Sequence, residues 1–178
     1  MITGRRLRSP SPSFRLPSLH SFMIPTSGRI LGIDWGEVRS GLALSDPSQT
    51  LASPLETLSR RRGKRFPLAR LLELTSIHQP VGIVLGLPLT PEGDEAESAR
   101  AARELGLKVA EHTRLPLELW DERMSTSRAL AAIREQGGST RGRKSEVDAL
   151  AAAVLLQHYL DARKQTSGGL ESLERADG

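Results

Sequence analysis

From position 29 onward, apolar residues come in short blocks whose spacing changes along the chain. Three blocks lie close together, at Ile30–Asp34, Gly41–Ser45 and Leu51–Leu58, and turn residues such as Asp46 and Pro47 separate them. The intervals are too short for helices. The pattern therefore predicts three antiparallel strands joined by tight turns.

After residue 60 the blocks become longer and alternate in type. Val81–Leu87 is a continuous apolar run that ends at Pro88, which is typical of a strand buried on both faces. A fifth strand is predicted at Leu115–Trp120, and we expect it to lie beside the first strand in the sheet. Helical spacing or helix-favouring composition predicts helices at Phe66–Ile77, Gly93–Thr113, Ser127–Glu135 and Ser145–Leu160. This order predicts an α/β fold with a mixed five-stranded sheet flanked by helices.

The first 28 residues differ in composition from the rest. They are rich in Arg, Ser and Pro and contain no acidic residue. Such a segment resembles an organelle transit peptide, but a disordered extension or an over-extended reading frame that truly starts at Met23 fits better. We therefore expect one domain at 29–162, an extension at 1–28 outside the fold, and a flexible tail at 163–178.

The net charge of +4 originates in that extension. Its four arginines account for the whole excess, so residues 29–178 are net neutral and the global charge says little about a polyanionic partner. Two local basic runs remain, Arg60–Arg65 and Arg141–Lys144. Each either meets phosphates or is a solvated surface, and the sequence favours neither interpretation.

Composition also excludes several classes of protein. The chain has no cysteine, so disulfides and thiolate zinc sites are excluded, and the composition fits a reducing cytoplasm. The four histidines lack ligand spacing. No apolar run approaches the roughly 20 residues that span a bilayer, so no membrane partner is expected.

Carboxylates beside apolar segments are the strongest chemical signal in the chain. They are Asp34, the pair Asp121 and Glu122, and Asp148. A charge in such a place is costly unless it is paired or binds a metal. If the fold gathers them, they form an oxygen site suited to Mg²⁺ or Mn²⁺, and such sites commonly act on phosphodiesters.

Each carboxylate has a structural alternative. Asp34 could cap the turn that follows its strand. Strand alternation would point Asp121 and Glu122 to opposite sides, so only one of them is expected to be a ligand. Ser145 and Asp148 have the spacing of a helix capping box, and taken alone this favours a structural role for Asp148.

Four ordered blocks resemble the YqgF family, which is assigned to Holliday junction resolution and to pre-16S rRNA processing. The resemblance covers residues 29–162. One departure is Thr90, where the family usually has asparagine. The blocks are D-x-G-x-x-R-x-G at Asp34, Gly36, Arg39 and Gly41; V-G-L-P-L at Leu85–Leu89; D-E-R-x-S-T at Asp121–Thr126; and V-D-x-x-A-A at Val147–Ala152.

The resemblance implies an RNase H-like fold and a metal-dependent nuclease with Mg²⁺ or Mn²⁺ held by Asp34, Glu122 and Asp148. It implies action in 5′-end processing of pre-16S rRNA, in the cytoplasm, with precursor rRNA or branched DNA as partner and ribosomal assembly factors as further partners. Arg39 and Arg123 either contact phosphate or pair with the acidic cluster. The loop that ends in Arg141, Arg143 and Lys144 is expected to close over the substrate backbone.

Other functions compete with this one. A Holliday junction resolvase acting on DNA would use the same residues. A non-catalytic nucleic-acid-binding factor would keep the basic loops and need no metal. An actin-like ATPase opens with a similar D-x-G motif, but this chain is short and shows no second nucleotide-clasping domain.

Overall fold

The structure is a computed structural model that describes residues 23–60, 65–88, 97–121 and 144–174. Side chains are described for all of these except 144, 145 and 167–174. The elements are β1 Ile30–Asp34, β2 Arg39–Ser45, β3 Ala52–Ser59, α1 Leu68–His78, β4 Gly82–Leu87, α2 Glu97–Thr113, β5 Leu117–Asp121 and α3 Lys144–Glu174. The predicted helix at Ser127–Glu135 lies outside the described residues.

The five strands form one mixed sheet in the order β3-β2-β1-β4-β5. β1 pairs antiparallel with β2, and β2 with β3, which confirms the predicted meander. β4 pairs parallel with both β1 and β5. The expectation that the fifth strand lies beside the first is therefore wrong, because β4 lies between them.

Strand alternation divides the core into two layers. Leu31, Ile33 and Trp35 pack with the leucines and alanines of α1 and α2 on one face of the sheet. Ile30 and Ala43 pack against α3 on the other face. All six residues of β4 are buried, as its continuous apolar run predicts.

Helix α3 extends well beyond its predicted end at Leu160, since it runs to Glu174. Arg163, in the turn after that predicted end, donates to the carbonyl oxygen of Ile24 and to Gln49 Oε1, the latter at 3.2 Å. The first part of the predicted 163–178 tail is thus helical and begins in contact with the body. Among the helices in the described parts of the chain, none combines the length and apolarity that a bilayer crossing requires.

The predicted boundary at residue 29 falls too late in the chain. Ile24 is only 3% exposed and belongs to the core layer under α3. Gln49 Nε2 donates to the carbonyl oxygens of Pro25 at 2.8 Å and Gly28 at 3.0 Å. A single apolar residue carries no periodicity, so the sequence pattern could not reveal this contact. Residues 1–22 lie outside the described residues.

Replacing Ile24 with alanine should destabilise the protein by about 2–5 kcal/mol, because it opens a cavity against Gly82, where a methyl group would meet Ile24 Cγ1 at 2.6 Å. The neighbouring Met23→Ala is the matched control, since Met23 is 83% exposed and its loss should change stability by less than about 0.5 kcal/mol. Chemical denaturation of both variants measures the difference. Equal effects would show that the segment is not anchored through Ile24.

Candidate active site

Asp34 ends the central strand and is buried, with 5% of its surface exposed. Its side chain belongs to the face covered by α3, because alternate positions of β1 face the same way and Ile30 packs in the α3 layer. Directly across the antiparallel ladder stands Gly41 of β2. Opposite residues in such a pair have Cα atoms about 4.5–5.5 Å apart and share a face.

Gly41 is where α3 rests on the sheet. A methyl group at Gly41 would lie 1.8 Å from the main-chain oxygen of Asp148, closer than any tolerated contact. Gly32, two residues before Asp34, has a similar role, since a methyl group there would lie 2.9 Å from Leu156 Cβ. Absence of side chains at both positions lets α3 approach closely and brings Asp148 beside the strand pair that carries Asp34.

Small residues on both partners produce this close approach of α3 to the sheet. On the helix side they are four buried alanines: Ala149, Ala151, Ala152 and Ala153. Gly36 serves the turn between β1 and β2, where a methyl group would lie 2.1 Å from the Arg39 carbonyl oxygen. This close approach of the backbone requires glycine at position 36.

Asp148 is fixed by an ion pair with Arg39. The Arg39 Nε donates to Asp148 Oδ2 at 2.6 Å, and the two side chains are 38% and 21% exposed. Arg39 lies two residues before Gly41 on β2, so it belongs to the same face as Asp34. Of the two roles predicted for Arg39, pairing with the acidic cluster is the one present.

The capping-box alternative for Asp148 stays a prediction, because the side chain of Ser145 lies outside the described side chains. Helix α3 begins at Lys144, one residue before Ser145. Asp148 points its carboxylate to an arginine on the neighbouring sheet. A long-range contact of this kind leaves no trace in local spacing.

Alternation along β5 separates the acidic pair. Glu118 and Trp120 face α3, where Glu118 Oε2 accepts a hydrogen bond from Tyr159 Oη at 2.5 Å and Trp120 packs edge-on to the Tyr159 ring. Asp121 stands opposite Leu87, which belongs to the core layer under α1 and α2. Asp121 therefore belongs to the face opposite Asp34.

Desolvation raises the pKa of Tyr159, and the neighbouring Glu118 carboxylate raises it further. This phenol therefore stays neutral and remains a donor to Glu118 throughout the physiological range. The contact ties the middle of α3 to β5, on the same face that carries Asp34.

Several predicted site residues lie outside the described residues, namely Glu122, Arg123, Arg141 and Arg143, and so does Thr90. Lys144 opens α3, but its side chain is not described. Within the parts of the chain that the structure describes, no group of three His, Asp or Glu side chains is placed to hold a metal ion. Two of the three predicted ligands, Asp34 and Asp148, lie on one face.

Comparison with known proteins identifies the family. The protein-family model described as "RuvX: Holliday junction resolvase" matches residues 28–162. The chain belongs to the RuvX family. This confirms the predicted resemblance, because RuvX and YqgF denote the same family.

Curated relatives of this RuvX chain agree with that result. A protein of Anaeromyxobacter sp. (strain Fw109-5), named "Putative pre-16S rRNA nuclease", is 44% identical over 135 residues, which cover 76% of this chain and 98% of the relative. A protein of Mycobacterium ulcerans with the same name is 40% identical over 152 residues, covering 85% and 86%. The prediction of a nuclease family is confirmed.

Among solved structures, the chain is similar to that of Thermus thermophilus RuvC, with a TM-score of 0.51 and 18% identity over 78% of this chain and 97% of that one. At this identity the likeness shows the fold alone, and it confirms the predicted RNase H-like class. Nucleases of such resolvase families typically depend on metal ions and act on nucleic acid.

Replacing Gly41 with alanine should push α3 away from the sheet, because the new methyl group would overlap the Asp148 main chain. We expect a loss of about 1–3 kcal/mol in stability and a larger proportional loss of any activity that needs Asp34 and Asp148 together. Thermal unfolding and activity measured on one preparation test this. Ala43→Gly, two residues along the same strand face, is the control: it should lower stability and leave the position of Asp148 unchanged.

Proposed function

We propose that this RuvX chain is a divalent-metal nuclease in which Asp34, Glu122 and Asp148 hold the metal ions. The observation that carries the proposal is that Asp34 and the Asp148 main chain both lie next to Gly41, on one face of the sheet. Asp121 belongs to the other face, which supports Glu122 as the third ligand, since alternation would return the next residue to the face of Asp34.

The residues present fit such ions. Carboxylate oxygens are the ligands that Mg²⁺ and Mn²⁺ prefer, and the chain has no cysteine that would offer a thiolate instead. The Asp34 carboxylate is buried, and a divalent cation shared with Asp148 would favour its charged form. Either metal satisfies these constraints, and we propose Mg²⁺ or Mn²⁺ as the cofactor.

When bound, the ions would supply an activated water and stabilise charge on the leaving oxygen. The protein supplies rigid placement. Asp34 is held in place by the central strand. Asp148 is held by the packing of its main chain against Gly41 and by its ion pair with Arg39. No side chain needs to act as a nucleophile.

The substrate proposed is precursor rRNA, with cleavage at the 5′ end of pre-16S rRNA. This rests on the name of the relatives that match the chain over nearly their whole length. A four-way DNA junction is the alternative, because the family model is described as a Holliday junction resolvase. We propose that Arg123, Arg141, Arg143 and Lys144 contact the phosphate backbone, and that the protein acts in the cytoplasm beside ribosome assembly factors.

Asp34→Asn is expected to abolish cleavage, a loss of at least about a hundredfold, while the protein stays folded. The substitution keeps the shape of the side chain and removes the charge that a metal ion needs. Cleavage of a pre-16S rRNA fragment and of a four-way DNA junction, each with Mg²⁺, Mn²⁺ or chelator, measures the effect and identifies the substrate.

A matched pair, Glu122→Gln and Asp121→Asn, separates the two neighbouring carboxylates. The first should lose cleavage and the second should retain most of it, because Asp121 belongs to the opposite face. The assignment of Glu122 is wrong if the two results are reversed. Full cleavage by Asp34→Asn in Mn²⁺ would overturn the metal site itself.

Arg39→Gln tests the role of the ion pair. Its guanidinium occupies one oxygen of Asp148, so removing it should tighten Mn²⁺ binding by less than about tenfold, as expected for a half-exposed pair. Calorimetric titration with Mn²⁺ measures this. If metal affinity stays the same while affinity for RNA falls, Arg39 acts on the substrate phosphate and not on the ligand.

A further inference from the structure

A second candidate site lies on the sheet face opposite the carboxylates of Asp34 and Asp148. There a cavity of about 670 Å³ opens between the ends of β1 and β3, the start of α1 and the middle of α2. This volume is in the usual range for small-molecule sites. Its apolar floor includes Leu68, Ala101 and Leu105, and its aromatic and charged lining is Trp35, Phe66, Arg60, Arg65, Lys108 and Glu104.

Trp35 leaves a buried donor in the wall of this cavity. The residue is 8% exposed, and its Nε1 has no hydrogen-bond partner among the described residues. A buried donor without a partner costs about 1–3 kcal/mol, so native proteins rarely keep one without a reason. Trp120 Nε1 is buried without a partner as well, so the unpaired indole supports a ligand only together with the rest of this lining. Because Trp35 Nε1 is inaccessible to solvent, an acceptor on a ligand would reach it after the side chains over it move.

The remaining aromatic surface is arranged around this indole. The Phe66 ring centroid lies 5.8 Å from that of Trp35, at an angle of 38°. The Arg60 guanidinium lies over the Trp35 ring, with its central carbon 5.2 Å from the centroid. Arg60 also donates through Nε to the Glu37 carbonyl oxygen, which fixes its plane. Planar groups that are held in place offer stacking surfaces at little entropic cost.

The rim of the cavity is cationic. Among the described residues, three cations line it against one carboxylate: Arg60, Arg65 and Lys108 against Glu104. Arg65 and Lys108 are exposed, so their charges are available to an anion. An apolar and aromatic floor, one unsatisfied donor and a positive rim together match a nucleotide: a flat base with acceptor atoms, joined to a phosphate.

We propose that this cavity binds the base of an unpaired nucleotide of the nucleic-acid substrate, with its phosphate at the rim. The proposal rests on the nuclease function proposed above. A nucleotide within a polynucleotide chain fits better than a free one. Trp35 directly follows Asp34, so the cavity and the Asp34 carboxylate lie on the two faces of the sheet at the end of β1. A nucleic-acid chain that crosses this end of the sheet reaches both.

The test is binding in chelator, where no cleavage occurs, of three probes: a ten-residue oligouridine, an abasic chain of the same length, and free uridine monophosphate. The wild-type protein should bind the oligouridine about five- to tenfold more tightly than the abasic chain, because only the former fills the cavity. In a Trp120→Phe background Trp35 is the sole tryptophan, and its fluorescence should change only with the base-containing probes.

Two variants identify the cavity as the source of that preference. Trp35→Phe keeps an aromatic ring and removes the donor, and should weaken oligouridine binding about three- to tenfold with abasic binding unchanged. Ala101→Leu fills the cavity without removing a polar group and should abolish the preference for bases. Lys164→Gln, an exposed cation on α3, is the control that should leave the preference intact.

Equal binding of abasic chain and oligouridine by the wild-type protein would overturn the proposal. So would uridine monophosphate binding as tightly as the oligomer, which would mark a free-nucleotide site. An unchanged preference in Ala101→Leu would move base recognition elsewhere on the molecule. Absence of cleavage with every metal, alongside an intact base preference, would overturn the nuclease proposal and leave the base site standing.

Discussion

The close contact between α3 and the sheet at Gly41 is the constraint on which the candidate active site depends. Asp148 lies on a helix more than a hundred residues after Asp34, and this contact places its main chain against the strand that pairs with β1. Any side chain at Gly41 would separate the two layers. The same contact sets Arg39 and Asp148 at ion-pair distance, so packing and electrostatics of the site share one origin.

The sheet separates two kinds of chemistry because side chains alternate along a strand. On β1, Asp34 belongs to the face covered by α3, while Trp35 belongs to the α1 and α2 face with the aromatic and cationic cavity. On β5 the same rule assigns Asp121 away from Asp34. A one-residue shift in either strand would exchange these functions, which is why buried strands of this kind require a fixed register.

Much of the fold could be predicted from the sequence because the apolar blocks are strong and local. All five strands and the described helices appear where the periodicity places them, with ends that move by a few residues in most cases. Errors occur where one residue decides the outcome through a distant partner. Ile24 joins the body by filling a space over Gly82, and α3 continues past Leu160 while Arg163 contacts the body near Ile24.

The sequence by itself determined the order of the strands along the chain, the α/β class and the candidate carboxylates, because these follow from local patterns and recognisable motif blocks. Only the tertiary structure decided which strands are neighbours and that Arg39 pairs with Asp148. It also decided that Asp121 belongs to the sheet face opposite Asp34. The shared cavity of Trp35, Arg60 and Phe66 is a third such result. Each of these is a contact between segments far apart in the chain. Their geometry depends on register and on layer spacing, which no local pattern encodes.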